Sequence, residues 1–104
     1  MHFVVLGSHS AEVCPLSNGK SKAMLLETGP QIPTFAEKHN VKIVAGPFVN
    51  REHLTVVITE AERAEDLDAF LLESRLVQWN TLRVIPSQPM EVGMKEIAEG
   101  TSLF

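Results

Sequence analysis

Two histidines and the single cysteine of this 104-residue chain, His9, His53 and Cys14, are the residues best suited to chemistry. Imidazole nitrogens and a thiolate are donors that zinc and copper accept readily. Two histidines and one cysteine would leave one coordination position open for water or a substrate. His9 and Cys14 with one distant histidine match no established ligand motif. The sequence therefore predicts a zinc or copper site only if the fold brings these three residues together.

The same three residues also fit other roles. A histidine beside Cys14 would hold its thiolate as a nucleophile. His9 and His53 also suit acid–base catalysis, because imidazole titrates near neutrality. In the structural alternative, both histidines bond loop carbonyls at strand ends, and Cys14 is a small buried apolar residue. The residues alone leave these alternatives open.

Three further residues, Asn50, Trp79 and Arg83, are candidates for ligand binding. Arg83 offers a planar guanidinium that can hold a carboxylate or a phosphate, although an ion pair is the simpler role. Trp79 offers a wall for a ligand, although it could instead pack a helix end onto the sheet. The glycines form no phosphate-binding pattern, which excludes a P-loop and a Rossmann turn.

Length, charge and cysteine content restrict the class of protein. The length corresponds to one domain, which we place at residues 1–99 with a loose tail at 100–104. A formal charge of −4, with scattered Lys and Arg, argues against nucleic-acid binding. The N-terminal apolar run is too short for a signal peptide or a membrane span. One cysteine excludes an internal disulfide and fits a reducing cytosol. Taken together, these observations predict a cytoplasmic protein without nucleic-acid or membrane partners.

The elements that must position the candidate residues follow a β-α-β-β-α-β order. Strand-like patterns predict strands at residues 2–8, 41–48, 53–60 and 81–86. Helical spacing predicts helices at residues 20–27 and 64–74, a further piece that begins at Pro30, and a short C-terminal helix that begins at Pro89. Gly46-Pro47 in the second strand favours an edge position or a bulge. The expected fold is therefore α+β and ferredoxin-like, with a four-stranded antiparallel sheet.

The faces of this sheet indicate a partner. Along strand three, Leu54, Val56 and Ile58 form a purely apolar set, which we expect to pack on the helices together with Leu82 and Val84 of strand four. The alternate set mixes threonine, histidine and arginine with apolar residues. Two helices cover only one face, so a second copy of the chain is expected to cover the other and enclose a partly polar cavity. The sequence thus predicts a homodimer.

The strand order of such folds, 4-1-3-2, groups the candidate residues at one edge. The end of strand one lies there beside the starts of strands three and four and the hairpin after strand two. Five candidate residues meet at this edge, namely His9, Cys14, Asn50, His53 and Trp79. A pocket is therefore expected at the His9/His53/Trp79 end of the sheet.

Three segments carry a resemblance to a known family: residues 53–60 (HLTVVITE), 64–72 (AEDLDAFLL) and 78–86 (QWNTLRVIP). Together they resemble the dimeric α/β-barrel superfamily, especially its small bacterial and archaeal members. The resemblance implies a barrel formed by two subunits, with a ligand between sheet and helices or inside the barrel. It transfers no catalytic residues: Asn50 precedes His53 by three positions, which differs from the Asn-x-x-x-His spacing of antibiotic-type monooxygenases.

The function expected from these observations is the binding, or modest transformation, of a small molecule or a metal ion by a homodimer. A structural or regulatory interaction module is the first alternative, and a cofactor-free monooxygenase-like enzyme is the second. The three differ in geometry. A site requires side chains that converge around a cavity, a module requires a dry interface, and an oxygenase requires a larger apolar cavity.

Overall fold

Alternating apolar residues form the four strands of a single antiparallel sheet. The computed structural model describes residues 1–101. The strands are β1 (His2–Ser8), β2 (Lys42–Val49), β3 (Leu54–Glu60) and β4 (Thr81–Ser87), in the order β2-β3-β1-β4. The expected α+β class and antiparallel sheet are confirmed, and the arrangement is compatible with the ferredoxin-like plan. The expected loose tail extends to residues 102–104, which lie outside the described residues.

Five α-helices connect and follow the strands: α1 (Gly19–Thr28), α2 (Ile32–Lys38), α3 (Ala64–Glu73), α4 (Leu76–Trp79) and α5 (Met90–Glu99). A 3-10 turn, Gly29–Gln31, joins α1 to α2, because Pro30 cannot donate the backbone hydrogen bond that would continue α1. Pro30 predicts either one bent helix or two short ones, and the structure has two short helices, the second of which begins at Ile32 rather than at Pro30. Among residues 1–101, no helix has the length and apolar composition needed to cross a membrane.

Strand β2 lies at the edge of the sheet, and its pairing with β3 shifts register twice. Gly46 has a φ of +88°, and a side chain there would place its Cβ 2.6 Å from the carbonyl oxygen of Val56. Only glycine allows this close approach of the two strands. The prediction that Gly46-Pro47 marks an edge position or a bulge is confirmed, because β2 is an edge strand and its register is irregular at these residues.

The core lies between one face of the sheet and the helices. It consists of buried apolar residues from β1, β3, α2, α3 and α4, among them Phe3, Val5, Val57, Ile32, Leu67, Phe70 and Leu76. Burial of these side chains is what holds the helices onto the sheet.

The expectation that Leu54, Val56 and Ile58 face the helices is wrong. On β3 the buried, helix-facing residues are Thr55, Val57 and Thr59, and Val57 lies opposite the core residue Val5. Burial of the two threonines is tolerated because each hydroxyl has a partner. Thr59 donates to the carbonyl of Phe3, and Thr55 donates to the side chain of Asn80.

The helix-free face of the sheet, which we call the open face, is consequently more apolar than predicted. On β4 the predicted assignment agrees with the register, since Leu82 packs against the core and Arg83 pairs with Leu6 on the open face. The open face carries seven large apolar residues in all: Val4, Leu6, Phe48, Leu54, Val56, Ile58 and Ile85. No helix among residues 1–101 buries them, and they remain partly or largely exposed.

Candidate metal centre

The chain connectivity places His9 beside His53. β1 and β3 are antiparallel, and Ser8 at the end of β1 pairs with Leu54 at the start of β3. His9 and His53 are the next residues outward, and the backbone N–H of His9 donates to the carbonyl of His53 at 3.1 Å. The imidazole rings lie 5.3 Å apart, edge to face. The pairing of the two central strands therefore fixes the relative position of both histidines.

Cys14 reaches the same place on the loop between β1 and α1, residues 9–18. Its carbonyl accepts the backbone N–H groups of Ser17 and Asn18 at 2.9 and 2.8 Å. The Asn18 side chain bonds back to the carbonyl of Glu12 and also caps α1 by accepting from Lys20 N–H at 3.0 Å. Cys14 is a buried free thiol. The N-terminus of α1 thus anchors the loop and, with it, the cysteine.

The three predicted ligands converge. One donor atom from each of His9, Cys14 and His53 lies within 4.8 Å of the other two. Around a tetrahedral zinc ion, with bonds of about 2.0–2.3 Å, donor atoms are about 3.5 Å apart. Closing the remaining ~1 Å requires small side-chain rotations rather than a change of fold.

A hydrogen-bond chain fixes the tautomer of His9. The Asn80 amide nitrogen donates to the carbonyl of Leu76 at 3.2 Å, so Asn80 Oδ1 is the acceptor in its other contacts. This oxygen lies 3.0 Å from His9 Nδ1 and also accepts from the Thr55 hydroxyl at 3.2 Å. In the neutral form of His9 the proton is therefore on Nδ1, which leaves the lone pair on Nε2. Metal-binding histidines are held in this way in known centres.

The backbone conformation and the surroundings of His53 are both energetically unfavourable. Its backbone has a φ of +59°, a left-handed conformation that is uncommon for residues with a side chain. Its Nδ1 is buried and has no hydrogen-bond partner among residues 1–101. A buried unsatisfied nitrogen destabilises a fold by about 1–3 kcal/mol. Backbone strain and buried polar atoms without partners are both enriched at functional sites.

A cavity of about 190 Å³ adjoins His9 and Cys14, whereas His53 is not part of its lining. Its lining is almost entirely apolar apart from His9 and Asn50, and it includes Cys14, Pro15, Leu16, Leu25, Val49 and Trp79. The Trp79 ring lies 5.0 Å from the His9 ring. The cavity lining contains no lysine, arginine, aspartate or glutamate. A ligand bound to the cluster on this side would meet hydrophobic walls.

The remaining candidates divide between the cavity and the open face. Trp79 and Asn50 line the cavity, but Asn50 Oδ1 is engaged with the backbone N–H groups of Glu52 and Leu54, so it chiefly builds the hairpin turn. Arg83 is exposed on the open face and does not line the cavity.

Two residues that support the cluster, Asn80 and Thr55, are not among the candidates that the sequence indicates. Thr55 belongs to the alternate set of β3, which was expected to face away from the helices but is buried against them. Asn80 follows the candidate Trp79 at the predicted edge, but nothing in the sequence indicates its hydrogen bond to His9. The one signal for Asn80 was its position at the boundary between α4 and β4, where a side chain can bond the helix end.

No protein-family model matches this chain, and no curated protein matches its sequence. The resemblance to the dimeric α/β-barrel superfamily therefore stays a prediction.

Proposed function

We propose that this protein is a homodimer in which each chain binds one transition-metal ion, zinc or copper, through His9, Cys14 and His53. The observation that carries the proposal is the convergence of the three donor atoms within 4.8 Å. Three protein ligands and one open position are the usual composition of a zinc site that binds an exchangeable ligand. The adjoining cavity gives such a ligand a place to sit.

The surroundings of the cluster favour a metal over a thiol nucleophile. A nucleophilic cysteine needs only one histidine, whereas here the imidazoles of His9 and His53 both lie near the Cys14 thiol. In addition, His53 Nδ1 is buried without a hydrogen-bond partner among residues 1–101. The Asn80 contact leaves Nε2 of His9 as a lone-pair donor. A reducing cytoplasm, which we predict as the location, would keep Cys14 available as a metal-binding thiolate. The cavity, at about 190 Å³, is also smaller than the large apolar cavity that an oxygenase requires.

Metal content tests the proposal directly. Untagged protein, purified by gel filtration, is expected to contain close to one zinc or copper ion per chain by elemental analysis. Cys14→Ala should lose this metal, because the thiolate is the only anionic ligand. His2→Ala is the matched control, since His2 also lies at a strand end but outside the cluster. A metal-free wild type that takes up neither ion on reconstitution, or a Cys14→Ala variant that retains it, would contradict the proposal.

Gly7 offers a test of the supporting hydrogen bonds. An added Cβ at Gly7 would lie 3.0 Å from Asn80 Oδ1, which is tighter than ordinary contact. We expect Gly7→Ala to displace the Asn80 side chain and weaken zinc binding about 10- to 100-fold, the usual effect of losing an outer-shell partner. The measurement is competition with a chromophoric chelator. Gly19→Ala is the control, because a Cβ at Gly19 meets no atom within 4 Å. Equal zinc affinities of the two variants would refute a role for Asn80.

The open face supports the homodimer part of the proposal. Four strands about 4.8 Å apart, with seven residues of about 3.3 Å each, form a face of roughly 400 Å². Specific interfaces bury about 800 Å² per partner, so the sheet supplies about half of what a stable dimer needs.

Helix α5 can supply much of the remainder. Met90, Met94 and Ile97 on this helix are 82%, 58% and 75% exposed. The open face and the apolar residues of α5 are both uncovered. Pairing with a second copy of the chain about a twofold axis can bury both surfaces. Face-to-face pairing of the sheets in this way would produce the dimeric α/β barrel.

A further inference from the structure

We infer that the open coordination position takes a small monoanion with one donor head and an apolar, ring-sized body, the class to which aromatic carboxylates belong. This inference rests on the proposed metal site and adds its ligand. Three properties of the cavity carry it: the charge of the loaded site, the absence of ionisable lining residues other than the metal ligands, and the size and apolar character of the walls.

The charge of the loaded site favours an anion. A divalent ion, one thiolate from Cys14 and two neutral imidazoles sum to a net charge of +1. The cavity lining holds no aspartate or glutamate that would neutralise it. An uncompensated charge against apolar walls is costly, because it loses the solvation that water would provide. One monoanionic donor on the fourth position brings the site to neutrality.

The size of the cavity favours a body about as large as a benzene ring. The cavity measures about 190 Å³, and an apolar protein cavity of about 150 Å³ can hold benzene. Its walls are the side chains of Pro15, Leu16, Leu25, Val49 and Trp79. The indole of Trp79 offers an aromatic surface beside the His9 ring, against which a planar ligand can pack.

Cobalt(II) provides a visible probe of the open position. The protein is loaded with cobalt(II), whose thiolate and ligand-field absorption bands report both Cys14 coordination and any change of the fourth ligand. It is then titrated separately with benzoate, acetate and benzyl alcohol. We expect benzoate to shift the bands with an affinity about 10- to 100-fold higher than that of acetate, because its ring is removed from water. Benzyl alcohol, which has the ring without the charge, should bind more weakly than benzoate.

A pair of valine variants tests the location of the ring. Val49 lines the cavity and is 67% exposed, whereas Val44 on the same strand is 47% exposed and lies outside it. Val49→Trp should fill the cavity and remove the preference for benzoate over acetate, while the bands of the ligand-free cobalt form stay unchanged. Val44→Trp should retain the preference.

The possible failures are distinct. A protein that shows no cobalt–thiolate band would overturn the proposed metal site and this inference together. A cobalt-loaded protein that binds benzoate no more tightly than acetate would overturn the inference alone. Loss of the benzoate preference in Val44→Trp, or its retention in Val49→Trp, would show that the ring does not occupy this cavity.

Discussion

Replacing His53 with glycine is expected to abolish metal binding and to leave the metal-free protein at least as stable as the wild type. Glycine adopts the φ of +59° found at this position without steric cost, whereas other residues lose about 1–2 kcal/mol there. The substitution also removes the buried, unpartnered Nδ1. Zinc affinity should fall by more than the 10- to 100-fold that outer-shell losses cause. Urea denaturation of the apoprotein and chelator competition measure the two effects.

His53→Ala separates the backbone effect from the loss of the imidazole. Alanine removes the ligand but keeps the left-handed strain, so we expect it to be about 1 kcal/mol less stable than His53→Gly and equally unable to bind zinc. Wild-type zinc affinity in His53→Gly would exclude His53 as a ligand. A glycine variant less stable than the alanine variant would show that this backbone conformation is not a source of strain.

Replacing Ile58 with aspartate is expected to convert the proposed dimer to a monomer. Ile58 lies near the centre of the open face, opposite Val4 on β1 and Ala45 on β2. A carboxylate buried there without a partner would cost several kcal/mol, enough to separate two chains held by an interface of this size. Light scattering after gel filtration should show the mass falling from twice 11.5 kDa to 11.5 kDa.

Leu72→Asp is the matched control for this substitution. Leu72 is a comparably large apolar residue on α3 that is 56% exposed and lies outside the open face. It should leave the dimer intact. Val4→Lys, on the neighbouring strand, should reproduce the effect of Ile58→Asp while circular dichroism remains that of a folded chain. A monomeric wild type, or dimeric forms of both open-face variants, would refute the proposed interface.

The strands and helices of this chain could be predicted because local sequence patterns determine them. The polar residues that follow Gly7 end β1 at Ser8, Pro30 divides the first crossover, and Gly46-Pro47 marks an edge strand. The grouping of His9, Cys14 and His53 followed from the antiparallel order of β1 and β3, which brings distant residues to one edge. Each of these predictions needed only periodicity, turn chemistry and strand order.

The orientation of β3 could not be predicted in the same way. Its two alternating sets are both suited to burial, and the rule that the more apolar set faces the core gave the wrong side. The decisive factor is that Thr55 and Thr59 find hydrogen-bond partners inside the core, which requires Asn80 and Phe3 to be in place. The tautomer of His9 and the backbone strain at His53 likewise depend on tertiary contacts that no single segment encodes.

Strand β3 connects the two surfaces on which these proposals rest. His53 precedes it, Thr55 on its helix-facing side bonds to Asn80, and Val56 and Ile58 point to the open face. A shift of this one strand would therefore act on metal ligation and on subunit pairing at the same time. Thermodynamic linkage makes such an effect reciprocal. If metal binding raises the affinity of the subunits for each other by some factor, dimerisation raises the affinity for the metal by the same factor. Subunit concentration would then set the metal affinity of the protein, and metal supply would set its assembly.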